Sequence, residues 1–241
     1  MRLDRWLVAN GYFESRHKAQ QAIAAGQVWI NGKAALEPAL PVTAPTEVVV
    51  LQGPRYVSQG GNKLEQALQQ LPLDVRGMYV LDAGASTGGF TDCLLQHGAA
   101  LVYAVDVGTR QLHERLRSDQ RVVVMEQTDI RAMPALPQPV DLVVADLSFI
   151  SLTKVLDALV KPLRAGGLLL ALIKPQFEQE RHIRFKGGIV KNATLQQQAV
   201  GRVVAAALQH GLHAMAEVAV GDGRSRNREF FVLFRYDGKS K

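Results

Sequence analysis

The residue types able to do chemistry recur at one kind of position, the end of an apolar run. Asp82 closes Val80-Leu81-Asp82-Ala83 and is followed by Gly84-Ala85-Ser86-Thr87-Gly88-Gly89-Phe90. A strand that breaks into small residues and reopens as a helix is where a nucleotide-like ligand meets an α/β sheet, and glycine lets that ligand approach the backbone. The spacing is Gly-x-x-x-Gly-Gly. It is neither the Gly-x-Gly-x-x-Gly of dinucleotide binders nor a phosphate loop ending in Gly-Lys-Ser/Thr. Asp106, Asp129 and Asp146 follow later apolar runs, so successive parallel strands would deliver four acids to one rim. Asp106, about 20 positions past the glycine turn, is placed to accept from ribose hydroxyls. Asp129, beside Ile130, is placed to accept from an adenine amino group. Any one of these acids reads equally well as a helix cap; four in register with a glycine turn point to a ligand.

Such a rim repels a pyrophosphate but tolerates an adenosine that carries a cationic centre. S-adenosylmethionine, with its sulfonium, fits. No metal is expected, because the six His are dispersed and no His/Cys cluster stands out at ligand spacing. A methyl transfer asks for little beyond an aligned nucleophile. If that nucleophile is a ribose hydroxyl, it must be polarised or deprotonated, which a partly buried lysine among charged neighbours can assist. Lys174 ends the apolar run 168–173, just before Pro175, and Asp146 ends the neighbouring one. Glu229 opens the last run; an antiparallel strand begins at the rim where its parallel neighbours finish, so Glu229 reaches the same crevice. Lys63 follows Gly60-Gly61 on a helix before the first of these strands.

The elements that must hold these residues are legible in the periodicity. Two regimes meet near residues 52–56. Before that point, Leu3, Trp6 and Leu7 recur at helical spacing, Ser15 caps a second helix through Ala25, and Gly26 ends it. Val28-Trp29-Ile30, Asn31-Gly32 and Lys33-Ala34-Ala35 read as strand, tight turn and return strand, with a further strand over 46–51. Beyond it, strands at 79–83, 101–105, 122–125, 142–145 and 168–173 alternate with helical stretches at 62–70, 91–97, 112–117 and 152–163. A long helix over 194–210 precedes strands at 214–220 and 230–235. Alternation of this kind gives an α/β, doubly wound, mostly parallel sheet whose final strand is antiparallel. The domains are set at 1–52 and 61–241, with 53–60 as linker.

The chain has 241 residues, 47% of them hydrophobic, so both units can bury a core. A lone cysteine, Cys93, rules out an internal disulfide, fits a reducing compartment and reads as a small buried residue. No signal peptide and no apolar run of membrane-spanning length is visible, so a cytoplasmic protein is expected. The net charge of +6 is spread along the chain, which leaves local patches to argue for an anionic partner. Arg2, Arg5, Arg16, His17, Lys18 and Lys33 lie on two helices and a hairpin, a layout suited to the phosphates of structured RNA. Arg181, Arg184, Lys186 and Lys191 in one loop, and Arg224, Arg226 and Arg228 in another, leave strands at the catalytic rim.

Two resemblances follow from these residues. Arg-Leu-Asp-Arg-Trp-Leu at 2–7, Glu-Ser-Arg-His-Lys-Ala at 14–19 and Gly-Gln-Val-Trp-Ile-Asn-Gly-Lys at 26–33 resemble the αL-type RNA-binding motif. Lys63, Asp146, Lys174 and Glu229 match the Lys-Asp-Lys-Glu tetrad of FtsJ-like ribose 2′-O-methyltransferases. With Asp-Leu-Ser-Phe-Ile-Ser-Leu at 146–152, Lys-Pro-Gln-Phe-Glu at 174–178 and Lys-Gly-Gly-Ile-Val at 186–190, the whole chain looks like the TlyA family, often called haemolysin-like. The resemblance implies a Rossmann-like, seven-stranded class I methyltransferase domain behind a small α+β RNA-binding domain. It implies S-adenosylmethionine as cofactor, ribosomal RNA or a ribosomal subunit as partner, and a cytidine 2′-hydroxyl as acceptor. It leaves monomer and homodimer both open. The chain departs from the family at Thr109-Arg110, where an aromatic residue and a glycine are common, and in the loop 221–228. A membrane-acting haemolysin and a ribosome-assembly factor with a vestigial site are the rival classes; the absence of a spanning segment and the intact tetrad count against them.

Overall fold

Asn31 and Gly32 take φ values of +52° and +73°, the left-handed pair that a two-residue hairpin turn requires. That turn joins β1 (Val28–Ile30) to β2 (Lys33–Ala34), and β3 (Val48–Val50) pairs with the other edge of β1. Helices α1 (Leu3–Ala9) and α2 (Arg16–Ala24) pack beside this small sheet, and Leu3, Leu7, Ala19, Ile23 and Val28 are fully buried between them. The Ser15 side chain caps α2 by accepting from Lys18 N, and Gly26 at φ +69° ends it, as the sequence demands. The computed structural model describes all residues except 43–46, 52–53, 180–184, 222–226 and 239–241.

The second unit is a seven-stranded sheet in the order β6-β5-β4-β7-β8-β10-β9. Its strands are β4 (Tyr79–Ala83), β5 (Leu101–Val105), β6 (Val122–Met125), β7 (Val140–Ala145), β8 (Leu163–Ile173), β9 (Leu212–Val220) and β10 (Glu229–Tyr236). The first five are parallel to one another; β10 runs antiparallel to both β8 and β9. Helices α3 (Gln59–Leu68), α4 (Gly89–Gln96) and α5 (Glu114–Arg117) belong to the layer whose core includes Leu64, Leu94 and Leu116. Helices α6 (Leu156–Val160) and α7 (Ala193–Leu208) cover the other face, with Leu156, Leu159 and Val203 buried.

One element differs from expectation. The helix expected over 152–163 is a 3₁₀ turn at Leu152–Lys154 followed by the single short α6, and Leu163 already belongs to β8. Pro162 ends the run because it has no N–H with which to continue the helical ladder, even though Lys161 before it keeps helical torsions of φ −53° and ψ −41°. The expected linker 53–60 is also not a free tether among its described residues. Tyr56 is 2% exposed within the large domain's core, the Arg55 guanidinium lies 3.9 Å over the Trp29 ring, and Asn62 Nδ2 donates to Ala24 O at 2.8 Å.

Candidate active site

Strand order turns three separated sequence positions into neighbours. Asp146 leaves β7, Lys174 leaves β8, and Phe230 pairs with Ile173, so Glu229 and Lys174 share one end of adjacent strands. Lys174 Nζ lies 2.5 Å from Asp146 Oδ1 and donates to Ser148 Oγ at 2.7 Å. Lys63, carried by α3, donates to Glu229 Oε2 at 2.6 Å. The structure thus assembles the four residues as two ion pairs at one rim, with Lys174 and Glu229 buried. Sequence reasoning missed Phe149, which stands 91% exposed three residues past Asp146. Its backbone is left-handed, with φ +65°, and its ring packs against Phe177 at a tilt of 48° with the centroids 5.1 Å apart. A bulky residue in that conformation stores strain, and the composition Asp-Leu-Ser-Phe gives no sign of it.

The glycine turn opens into a cleft with two lobes. One, of about 410 Å³, is lined by Gly84, Ser86, Asp106, Asp129, Ile130 and Asp146 together with apolar Val105, Val107 and Phe149. The other, of about 310 Å³, is lined by Lys63, Ala85, Thr87, Gly89 and Phe90 with Ser58, Gln59 and Gly60; Gly84, Ser86 and Asp146 border both. Three acids around an apolar slot fit an adenosine with a cationic centre. Gly84, at φ +87°, has no room for a side chain, because a Cβ would stand 2.7 Å from Asp146 O. Gly88 lines neither lobe; it caps α4 at φ +94° and a Cβ there would strike Leu112 and Leu116 of the segment behind it.

The acids differ in freedom. Asp106 accepts from Ser86 N at 2.8 Å and from Gly108 N at 2.7 Å, which pins the loop and fixes the carboxylate's orientation. Asp129 caps a short 3₁₀ turn through Arg131 N and pairs with the Arg131 guanidinium, which holds its carboxyl down to about 2. The side chain that caps this turn also lines the cleft. Asp82 stands behind the lobes, fully buried, accepting from Thr91 Oγ1 at 2.7 Å. Burial is the main cause that raises its carboxyl to about 7. The folded state keeps this proton after the unfolded chain has lost it, so stability falls as pH rises from about 4 to about 7. Asp82→Asn is expected to remove that slope and to gain on the parent at pH 8 relative to pH 5; urea unfolding at the two pH values checks it.

At Thr109-Arg110, Arg110 takes φ +52°, the conformation a glycine adopts freely. Glu126 supports it by accepting from Arg110 N at 2.7 Å and Gln111 N at 2.8 Å. The basic residues of the first domain fall into two groups. Arg2 and Arg16 both bind the buried Asp4, and Lys18 pairs with Glu14. Arg5 and Lys33 are exposed, with no side-chain partner among the described residues. Residues 180–184, including Arg181 and Arg184, and residues 222–226, including Arg224 and Arg226, lie outside the described residues; Lys186 is described by its backbone, in a 3₁₀ turn. No His/Cys cluster was expected at ligand spacing; Cys93 of α4 and His97 just past its end stand one helical turn apart, with Glu65 of α3 beside them. The spacing Cys-x-x-x-His was visible, but its partner lies on another helix.

Fold and site together define a methyltransferase of the doubly wound class. The FtsJ-like methyltransferase model matches residues 56–236, and the S4 domain model matches residues 1–49. The chain belongs to the FtsJ-like methyltransferase family, in its TlyA branch. It is 43% identical to the 16S/23S rRNA (cytidine-2′-O)-methyltransferase TlyA of Mycobacterium tuberculosis, over 97% of this chain and 89% of that one. It is 42% identical to Hemolysin A of Brachyspira hyodysenteriae, over 97% and 99% of the two chains. A solved structure from Streptococcus thermophilus that carries a hemolysin name superposes with a TM-score of 0.72 at 38% identity, covering 99% of this chain and 89% of that one. No helix among the described residues is long and apolar enough to cross a membrane.

Proposed function

We propose that this chain methylates a ribose 2′-hydroxyl of cytidine in ribosomal RNA, with S-adenosylmethionine as methyl donor. The observation that carries the reading is Lys174, buried and held at 2.5 Å by Asp146 on the border of both lobes. The family and the acidic, glycine-floored cleft support the donor, which when bound supplies an electrophilic methyl group. Asp106 and Asp129 would hold the donor's adenosine, Gly84 and Ser86 would hold its methionine part, and Asp146 would offset its positive charge. A lysine ammonium offers only donors. Lys174 therefore orients the acceptor hydroxyl and stabilises the negative charge that grows on its oxygen, while the hydroxyl proton passes to solvent water and the donor departs as a neutral thioether. Asp146 and Ser148 fix Lys174, and the Lys63–Glu229 pair bounds the other side of the acceptor.

The first domain, residues 1–52, docks the structured RNA through Arg2, Arg5, Arg16, Lys18 and Lys33, and residues 61–241 carry out the transfer. Lys186 and Arg184 are further contacts proposed for RNA phosphates. A cytoplasmic location is part of this proposal, because that is where the proposed ribosomal RNA substrate is found. The target nucleotide must leave its helix to reach Lys174, and Phe149 is the exposed face on which its base stacks. Base–aromatic stacking is worth about 1–3 kcal/mol. Phe149→Ala is accordingly expected to lower kcat/KM on RNA by about 10- to 100-fold, without lowering thermal stability. Mapping 2′-O-methylation in ribosomal RNA from cells with and without the protein tests the function as a whole. Unchanged maps, or transfer to RNA with a 2′-deoxy target as fast as to the ribose form, would overturn it.

A further inference from the structure

Outside the cleft, Glu65, Cys93 and His97 bring a carboxylate oxygen, a thiol sulfur and a ring nitrogen within 4.8 Å of one another. They are the one such group among the described residues. Cys93 and His97 project from successive turns at the end of α4, and Glu65 from α3 packed against it. We propose that these three side chains bind a zinc-class divalent ion that staples α3 to α4.

The imidazole gives the first reason. His97 Nδ1 donates to Cys93 O at 2.8 Å, which leaves Nε2 as the nitrogen with the free lone pair. Nε2 lies 3.3 Å from Glu65 Oε2, which also accepts from the Tyr56 hydroxyl, and Cys93 Sγ lies 3.7 Å from Nδ1 on the same ring, so either a metal ion or a proton serves the facing Nε2 and Oε2. A metal-bound histidine characteristically donates its other N–H to a carbonyl in this way. The second reason is spacing. Zinc with bonds of about 2.0–2.3 Å separates its ligand atoms by about 3.3–3.8 Å, and small side-chain rotations bring the three atoms to that distance. The third is the division of the carboxylate. Oε1 accepts from Gln69 Nε2 at 3.0 Å and faces the Arg55 guanidinium at 3.5 Å, so the arginine's charge sits on the far oxygen. Oε2 is oriented by the Tyr56 hydroxyl and is the oxygen turned toward His97.

Without a metal the Cys93 thiol is neutral, because burial and then Glu65 push it up. The ion displaces its proton, and the thiolate, the Glu65 carboxylate and neutral His97 become three ligands, with water in the fourth position. His97, half-buried, gives the path of entry. The competing occupant is a proton, which would make His97 an imidazolium paired with Glu65.

The test uses the full-length protein with no cofactor or RNA. It is stripped with a chelator, loaded with Zn²⁺ or Co²⁺ and desalted. About one ion per chain is expected, and the cobalt form should show the near-ultraviolet band of thiolate-to-cobalt charge transfer. Cys93→Ser, close in size to the buried thiol, should abolish that band and cut retained zinc at least tenfold; His97→Gln should cut zinc likewise while the stripped variant stays folded by circular dichroism. Retention of only traces by the unaltered protein, or a cobalt spectrum without the thiolate band, would overturn the proposal and leave the imidazolium pair. Because no readout involves methyl transfer, failure here leaves the proposed activity untouched.

Discussion

Lys174→Ala is expected to lower methyl transfer to ribosomal RNA by about 10³-fold, within the range that a positioned acid–base group contributes. Lys174 is 8% exposed and its ammonium is shared by Asp146 at 2.5 Å and Ser148 at 2.7 Å. Truncation removes the group that steadies the acceptor oxygen and leaves the Asp146 carboxylate facing it, which opposes build-up of negative charge. Lys174→Arg should recover little, since a planar fork cannot replace a compact ammonium in that space. The Asp146 side chain is 23% exposed, but the Oδ1 that faces Lys174 is enclosed and would be left unpaired, so stability should fall by about 1–3 kcal/mol. Single-turnover transfer to ribosomal RNA reads the loss, while calorimetry should find cofactor affinity within a few-fold of the parent. Near-normal transfer by a folded Lys174→Ala protein would remove Lys174 from the chemistry.

Asp4→Ala is expected to carry the largest loss of stability, and in the smaller domain. Asp4 is fully buried near the start of α1 and accepts from Arg2 Nε and Nη2 at 3.1 Å, Arg16 Nη2 at 2.9 Å, Gln20 Nε2 at 2.7 Å and Arg5 N at 2.9 Å. Arg2, the largest cause, and Arg16 hold its carboxyl far below the ordinary range. Removing it orphans donors from both helices at once, at a cost of about 3 kcal/mol. A unit of this size has little stability to lose. Arg2 and Arg16 are also two of the proposed RNA contacts, and Asp4 sets where their guanidiniums stand. Asp4→Ala should therefore weaken RNA binding at least tenfold while the cofactor still binds the second domain. Paired RNA-binding and cofactor-binding titrations separate the effects, and a variant that binds RNA normally would show that this carboxylate organises nothing.

The strands of the large domain were legible because parallel strands buried on both faces read as unbroken apolar runs. Tyr79–Ala83 and Leu101–Val105 fall where those runs do, and the edge strand Val122–Met125 is as apolar in sequence though only partly covered. Strand ends also gave Asp146, Lys174 and Glu229, since a charge that closes an apolar run must turn to the rim. What stayed hidden was conformation and cross-element company. Asp82 has the pattern of a ligand residue but is wholly enclosed, because its side chain turns toward Thr91 rather than the cleft. Phe149 owes its exposure to a backbone torsion that its neighbours impose. Glu65 sits 28 and 32 positions from Cys93 and His97, and helical periodicity marks only that it faces inward. Arg55 reads as a linker charge, yet it stacks on Trp29 of the other unit.

The antiparallel insertion of β10 has a bearing on when the protein becomes competent. Until β10 is synthesised, β8 has an unpaired edge where β10 will lie, and Lys63 waits for a counter-charge encoded 166 positions downstream. A nascent chain still emerging from the tunnel can hold the glycine turn, Asp146 and Lys174, yet it lacks the carboxylate that completes the row. The row of four charges is therefore complete only once β10, the last described strand in chain order, has paired with β8.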